Sequence, residues 1–212
     1  MKKGQADIVS AVLIIIISIG LIATAYTWGI PLIQKNQDRA IADRVANFFD
    51  QNSQSSLPNT IEFIANNQGE QTVKLEITGF WKLNEGESSI QYTFFSKISN
   101  IAVGSNWVSL TPGADCNLFT GPAIGYVGKD RSSVVCARAD KLGDGYNVTY
   151  KVWFREIDDS TATRGFKINL VKNEAGTLTS PAQSTRISYA GSTNQVSGGK
   201  TLIITQIKIL FV

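Results

Sequence analysis

The two cysteines are the residues whose chemistry the sequence predicts most directly. Cys116 and Cys136 lie 20 positions apart, and the chain has no histidine. A histidine general base, a Ser-His-Asp triad and a Cys-His metal cage are therefore excluded. If this part of the chain is exported, the pair is expected to form a disulfide contributing about 3 kcal/mol. The alternative is two free, buried thiols; a redox role is not indicated, because there is no C-x-x-C motif.

Three other segments resemble catalytic or binding motifs without meeting their requirements. A phosphate loop ending in Gly128-Lys129 needs glycine at position 123, where Ala123 stands. The segment 140–145 has Leu142 where a calcium loop needs a ligand, so a hairpin turn is expected there. Adjacent Asp158-Asp159 would point to opposite faces of a strand, which indicates a solvated turn. We therefore expect no enzymatic activity, no bound metal and no cofactor.

One potential modification site is present. Asn147-Val148-Thr149 is an N-x-S/T sequon, and the alternation around it places Asn147 on the face opposite the apolar one. A glycan is expected at Asn147 if the chain meets a glycosylation machinery. The alternative is that the triplet occurs by chance in a chain rich in asparagine.

Length and charge restrict the remaining classes. The chain has 212 residues, which is enough for one large domain or two small ones. Charged residues make up 17%, and the formal net charge is +3. Such a weak positive charge gives no reason to expect nucleic acid as a partner.

A long apolar segment lies near the start of the chain. The 26 residues from Ile8 to Ile33 carry no charge, and as a helix they would extend about 39 Å, more than the roughly 30 Å of a bilayer core. This run is too long for the apolar part of a secretory signal. It predicts a retained helix that can lie in a membrane, with Lys2 and Lys3 on the cytoplasmic side.

The helix is predicted to continue as an amphipathic extension to Asp50. Ile41, Val45 and Phe49 fall on one face at helical spacing. Gly29 and Pro31 are the expected site of a kink, because proline removes one backbone hydrogen bond and clashes with the preceding turn.

Residues 51–212 have the pattern of a β domain. Apolar and polar residues alternate over 73–77, 90–94 and 146–154, and turn-forming pairs separate such runs. The runs 146–154 and 166–170 are predicted to be neighbouring strands, and no further helix is predicted. The fold class is therefore α+β, a long N-terminal hydrophobic helix followed by an antiparallel β-sandwich head.

The sequence Lys2-Lys3-Gly4-Gln5-Ala6-Asp7, leading directly into the apolar run, resembles the start of an archaeal type IV pilin precursor with its class III signal peptide, and more loosely an archaellin. The resemblance implies that a prepilin peptidase removes residues 1–4 by cutting between Gly4 and Gln5. Residues 5–50 would then form the polymerising helix, and residues 51–212 the head. The motif part of the resemblance covers about residues 1–35.

The position of the first acidic residue departs from the pattern of many pilins. The fifth residue counted from Gln5 is Val9 and not an acid. The nearest acid, Asp7, is expected either to pair with the new amino terminus of a neighbouring subunit or to cap the first helical turn.

The resemblance implies a structural subunit of an extracellular archaeal filament used for surface adhesion. Its partners would be copies of itself, the prepilin peptidase, the pilus assembly machinery and, before assembly, the membrane as a single-pass protein. The alternatives are a membrane-anchored cell-surface binding protein and a minor pilin. Motility is less expected, because archaellins start differently from Gln5-Ala6-Asp7.

Overall fold

The computed structural model describes residues 3–117 and 121–212, and in the first helix it describes side chains from Val9 onward. The chain begins with helix α1, Lys3–Thr24, followed by a π-helical segment, Ala25–Gly29, and by α2, Ile30–Phe49. The chain divides into two compact units, Met1–Ala40 and Ile41–Val212, and the boundary falls inside α2.

The described residues of the second unit form two sheets of six strands each. In spatial order the first sheet is β1-β11-β12-β9-β8-β5 and the second is β10-β2-β3-β7-β6-β4. The strands are β1 Glu70–Lys74, β2 Phe80–Asn84, β3 Ser89–Ser96, β4 Val108–Ser109, β5 Gly125–Tyr126, β6 Ser133–Leu142, β7 Gly145–Phe154, β8 Ile157–Asp158, β9 Arg164–Lys172, β10 Thr179–Ser180, β11 Ser184–Ser197 and β12 Lys200–Phe211. The α+β class is confirmed: one long apolar helix precedes a domain rich in β-sheet.

The prediction of purely antiparallel strands is wrong for the first sheet. In it β12 runs parallel to β9, and β5 runs parallel to β8. The connection after β9 explains the first of these pairs. The chain crosses to the second sheet as β10, returns as β11 and reverses into β12, so that β12 follows the direction of β9. The second sheet is antiparallel throughout.

The predicted pairing of 146–154 with 166–170 is also wrong. The first run is β7, between β3 and β6 in the second sheet, whereas the second run belongs to β9 in the first sheet. Both runs contribute buried side chains to the same cluster, the second through Ile168 and Leu170, whereas Phe166 is exposed. Period-two alternation indicates which face of a strand is buried, but not which strand lies beside it.

A third helix, α3, spans Leu57–Asn67 and was not predicted. Pro58 lies in the first helical turn, where its missing N–H costs no hydrogen bond. Leu57, Ile61 and Ile64 follow helical spacing and are buried. This spacing was the signal that could have identified the helix.

The core of the second unit draws on α2, α3 and both sheets. The side chain of Trp81 packs against Tyr92 with 4.6 Å between ring centroids, and its indole N–H donates to the Ala182 carbonyl. From α2 the core receives Val45 and Phe49, both fully buried. The amphipathic pattern predicted for this part of the helix is therefore observed.

Candidate functional site: an exposed apolar helix

The most unusual surface of the chain is the first half of its N-terminal helix. The stretch Val9–Phe49 is long and apolar enough to cross a membrane. The exposed fraction of the large apolar side chains in its N-terminal part ranges from 42% at Ile30 to 80% at Trp28. These side chains are Val9, Val12, Leu13, Ile14, Ile15, Ile16, Ile17, Ile19, Leu21, Ile22, Tyr26, Trp28, Ile30, Leu32 and Ile33. A helix that is apolar on every side needs lipid or other apolar helices around it.

Three hydroxyl groups of this helix donate to carbonyls of the helix itself. Ser18 donates to the Ile14 carbonyl and Thr24 to the Gly20 carbonyl, each at 2.8 Å between oxygens. Thr27 donates to the Ala23 carbonyl at 3.0 Å. An unpaired hydroxyl would be costly in a medium without water. These hydroxyls therefore do not prevent the surface from being surrounded by apolar groups.

The π-helical segment Ala25–Gly29 ends two residues before Pro31. Proline has no N–H to donate, and in a regular α-helix its ring would meet the carbonyl of Thr27, four residues earlier. A π-helical turn changes the carbonyl positions at this point, as π-bulges often do inside long helices. Gly29 is the last residue of this segment and Pro31 lies in the first turn of α2; the kink at these residues remains a prediction.

The residues predicted to take part in leader cleavage and in subunit pairing lie at the start of the chain, where the structure gives less detail. Met1 and Lys2 lie outside the described residues, and the side chains of Gly4, Gln5 and Asp7 precede the first described side chain, that of Val9. Cleavage between Gly4 and Gln5, and the pairing or capping role of Asp7, remain predictions.

A buried polar network follows the end of α2 and was not found from the sequence. Gln51 is only 8% exposed. Its amide nitrogen donates to the Ser133 carbonyl at 2.6 Å, its amide oxygen accepts from the Thr111 hydroxyl at 3.0 Å, and its backbone carbonyl accepts from Arg131 at 2.6 Å. The sequence places Gln51 at the start of a polar linker. Its partners are distant along the chain, so no local pattern could have identified them.

Glu62 of α3 also binds Ser133 and so extends the hydrogen-bond network of Gln51. One of its carboxylate oxygens accepts from the Ser133 backbone N–H at 3.0 Å and from the hydroxyls of Ser132 and Ser133 at 2.8 and 2.6 Å. Charge-assisted hydrogen bonds of this kind are stronger than neutral ones. They join α3 to the start of β6.

Cys116 and Cys136 form a disulfide, with 6.0 Å between their Cα atoms. Cys136 lies on β6 and faces away from the main core, in a second apolar cluster with Cys116, Val134 and Trp153. The bridge attaches the long β4–β6 connection to the outer face of the second sheet.

The sequon lies on the same outer face. Asn147 is half-buried on β7, an interior strand, directly opposite Phe95 of β3. The hydroxyl of Thr149 is 2.9 Å from that of Thr93. The predicted orientation of Asn147, away from the core, matches this geometry, and its glycosylation remains a prediction.

Asp158 and Asp159 differ in their burial and in their bonding partners. Asp159 accepts bonds from Thr161 and Thr163 in a turn, whereas Asp158 is 6% exposed and pairs with Lys200 at 2.7 Å. Lys200 also pairs with Glu156. The hydrogen bond to Asp158, followed by that to Glu156, raises the pKa of Lys200. This cluster joins residues more than 40 positions apart, so no local pattern could have indicated it.

The segment 140–145 forms the turn between β6 and β7, with Leu142 opposite Gly145. The predicted hairpin turn is confirmed. Across residues 3–117 and 121–212, no three Cys, Asp or Glu side chains are grouped so as to hold a metal ion.

Comparison of the chain with protein-family models, with curated proteins and with solved structures gives no match.

Proposed function

We propose that this chain is the structural subunit, a pilin, of an extracellular archaeal type IV pilus-like filament used for surface adhesion. The observation that carries the proposal is the apolar helix, whose large side chains from Val9 to Ile33 are exposed on all sides. The hydroxyls of Ser18, Thr24 and Thr27 are bonded inside the helix and need no water. Before assembly this surface would lie in the membrane as a single span.

The physical basis of assembly is a change of surroundings for the same surface. In a bilayer, helix association gains little hydrophobic free energy, because lipid tails are as apolar as the side chains. In a filament outside the cell, each helix is covered by its copies, and withdrawing one helix would expose its apolar surface to water. A head-to-tail contact whose rotation does not close produces an open helical polymer.

The start of the chain favours a pilin over a permanently anchored receptor. A tethered receptor needs only an apolar span, whereas the junction Lys3-Gly4-Gln5 ahead of that span resembles a prepilin peptidase site. A freely moving receptor would also benefit from a flexible linker, yet α2 remains helical across the boundary between the two units. The receptor and the minor pilin are the alternatives that the experiment below must exclude.

The head is proposed to be a β-sandwich on the outside of the filament. Both sheets contribute to one buried cluster, with Tyr92 and Tyr150 from the second sheet and Leu170 and Ile209 from the first. The Cys116–Cys136 disulfide suits an oxidising exterior. The sheet surfaces would then be available for adhesive contacts.

The test is mass spectrometry, N-terminal sequencing and negative-stain microscopy of one fraction sheared from the cell surface. A chain beginning at Gln5 in abundant thin filaments is the expected result. A chain beginning at Met1 or Lys2, found only in detergent-extracted membrane without filaments, would overturn the proposal in favour of the receptor. A processed chain present in only trace amounts in filaments built from another protein would identify a minor pilin.

Two variants strengthen this test. Gly4→Leu alters the proposed junction and should leave an uncut chain in the membrane without filaments. Val9→Ile is the control, because it lies beyond the junction, preserves apolar character and should assemble normally. Equal filament yield from both variants would contradict processing at Gly4-Gln5.

A further inference from the structure

The free edge of the first sheet differs from the other edges of the molecule. Natural proteins protect edge strands with charges, short length or covering segments, because unpaired N–H and C=O groups attract another strand. Here β5, β10 and β4 have only two residues each. The edge strand β1 has charged residues at both ends, Glu70 and Lys74, and Glu70 pairs with Arg186 at 2.6 Å.

The distal half of β11, Gly191–Ser197, is neither short nor charged, although a bulge between Tyr189 and Gly191 precedes it. Among the described residues it pairs with β12 on one side only, because β1 pairs with β11 only from Ser184 to Ser188. Residues 192–197 are all exposed, and Val196 is 73% exposed. No charged residue and no proline occurs from Ile187 to Gly199. This half-strand is therefore an open, neutral edge.

The backbone groups that point outward follow from the hairpin. Ser197 and Lys200 flank the two-residue turn Gly198-Gly199 and oppose each other across the ladder. A two-residue hairpin closes with a hydrogen-bonded pair, and the bonding direction alternates along an antiparallel strand. The N–H and C=O groups of Ser192, Asn194 and Val196 therefore point away from β12.

We infer that this edge pairs antiparallel with the same edge of a second copy of this chain, with Asn194 at the two-fold axis. In that register Asn194 opposes the other copy's Asn194, and Ser192 opposes its Val196, so the outward groups bond one another. We expect the partner to be a second copy because the edge carries no charge. Two identical edges can therefore pair without like-charge repulsion. Such an isologous contact is self-complementary and closes on itself.

The contact joins heads and does not involve the apolar helix, so it is independent of the proposed polymerisation. A single short pairing of this kind is weak. If the chain also polymerises, repeated contacts along two filaments would join them side by side through multivalency. The head edge would then form the lateral interface between filaments, whereas the helix would build each filament.

The test is cysteine cross-linking of the full chain dispersed in detergent, under mild oxidation. Because Cys116 and Cys136 are already bonded to each other, an added cysteine is the reactive thiol. Asn194→Cys should give a covalent dimer, since a hydrogen-bonded pair places Cα atoms about 5.5 Å apart, within disulfide range. Gln71→Cys, on the edge strand β1, is the control and should remain monomeric.

The register is tested by a second pair of variants on the opposite face of the strand. Thr193→Cys and Gln195→Cys should each fail to dimerise alone, because diagonal positions lie about 7–8 Å apart. Mixed together they should form a heterodimer, because Thr193 opposes the second copy's Gln195. Dimer from each variant alone, and equally from Gln71→Cys, would indicate random collision and overturn the inference.

A proline variant tests the outward hydrogen bonds directly. In the Asn194→Cys background, Val196→Pro removes an outward N–H without removing a bond to β12, and it should reduce the dimer yield at least tenfold. Val196→Ala should retain the dimer. Equal yields from the two would contradict β pairing. Because detergent disperses the helices, these outcomes do not depend on whether filaments form.

Discussion

The ring of Phe49 lies 5.2 Å from the ring of Tyr150, centroid to centroid, with an angle of 15° between their planes. Phe49 is the last residue of α2, and Tyr150 lies in the middle of β7. Both side chains are buried in the core of the second unit. The end of the long helix is therefore part of the folded head.

Replacing Phe49 should destabilise the head strongly. Phe49→Ala would leave a cavity between Trp81, Tyr92 and Tyr150, and we expect a loss of about 3–5 kcal/mol. Chemical unfolding in detergent, followed by tryptophan fluorescence, measures this change. Phe49→Leu is the matched control and should lose less, because it retains much of the buried volume. A loss below about 1 kcal/mol for alanine would show that Phe49 does not occupy the core.

Removing the disulfide should lower the unfolding free energy by less than Phe49→Ala does, and reducing agent distinguishes this effect. The double variant Cys116→Ala/Cys136→Ala should lose about 3 kcal/mol of unfolding free energy, because the unfolded chain is no longer constrained. Reducing agent should lower the stability of the unaltered chain and leave the double variant unchanged. A thiol assay on the folded, unreduced chain checks the premise, since two reactive thiols would contradict the bridge.

The buried phenols predict sensitivity to alkali. Burial raises the pKa of Tyr92 to about 12, and burial is also the main cause that raises the pKa of Tyr150 to about 12, with a smaller contribution from Asp43. In each case the folded chain holds a proton that the unfolded chain releases near pH 10. The stabilisation is complete below pH 10 and is lost as the pH rises toward 12.

The expected loss is about 2 kcal/mol from each phenol at pH 12. Stability against denaturant at a series of pH values, together with tyrosinate absorbance, measures it. Tyr150→Phe should flatten the alkaline part of this profile, because the phenylalanine has no proton to lose. Within the described part of the chain the Tyr150 hydroxyl makes only one long hydrogen bond, 3.5 Å to Asn100, so stability near neutral pH should change little. An unchanged slope above pH 10 would refute this assignment.

Local patterns predicted the elements better than their arrangement. The apolar helix, the alternating strands and the turn between β6 and β7 each depend on residues close together in sequence. The helix α3 was not predicted, although its buried apolar residues follow helical spacing and proline is tolerated in a first turn. The helical spacing of its apolar residues is a local pattern and could have been recognised.

Other features could not be obtained from the sequence. The parallel pairing of β9 with β12 depends on the excursion of the chain into the second sheet. The hydrogen bonds of Gln51 with Ser133 and of Lys200 with Asp158 join distant residues of ordinary polar type. Periodicity reports burial, and it carries no information on these partners.

Gly165 provides a test of the Lys200 cluster. A Cβ atom at this position would lie 2.9 Å from the Lys200 Cε atom and 3.0 Å from a carboxylate oxygen of Asp158. Gly165→Ala should therefore push the flexible end of the Lys200 side chain aside and weaken its ion pairs, with a loss of about 1 kcal/mol of unfolding free energy at most. Gly104→Ala is the control, because nothing lies within 4 Å of a Cβ atom there.

A double-variant cycle tests whether the loss of unfolding free energy in Gly165→Ala depends on the Lys200 side chain. In a Lys200→Ala background the side chain that crowds position 165 is gone, so Gly165→Ala should cost less than in the unaltered chain. Unfolding free energies of the four chains give the coupling. Additive losses would show that Gly165 is required for a reason unrelated to this cluster.

The sequon prediction can be tested against the geometry of the folded strand. Asn147 lies beside Phe95, which is 48% exposed and could pack against the first sugar. The Thr149 hydroxyl is only 2.9 Å from the Thr93 hydroxyl, and Thr149 is 7% exposed. We therefore expect a glycan to be added before the second sheet forms, when Thr149 is accessible.

Glycopeptide mass spectrometry of protein from the native cells should find the modification at Asn147. Thr149→Val and Asn147→Gln should both abolish it, whereas Thr149→Ser should retain it because serine preserves the sequon. Thr93→Val is the informative control: it removes the hydroxyl partner and leaves the sequon intact, so the glycan should persist. An unmodified Asn147 in the mature chain, with other glycoproteins of the same cells modified normally, would show that the triplet occurs by chance.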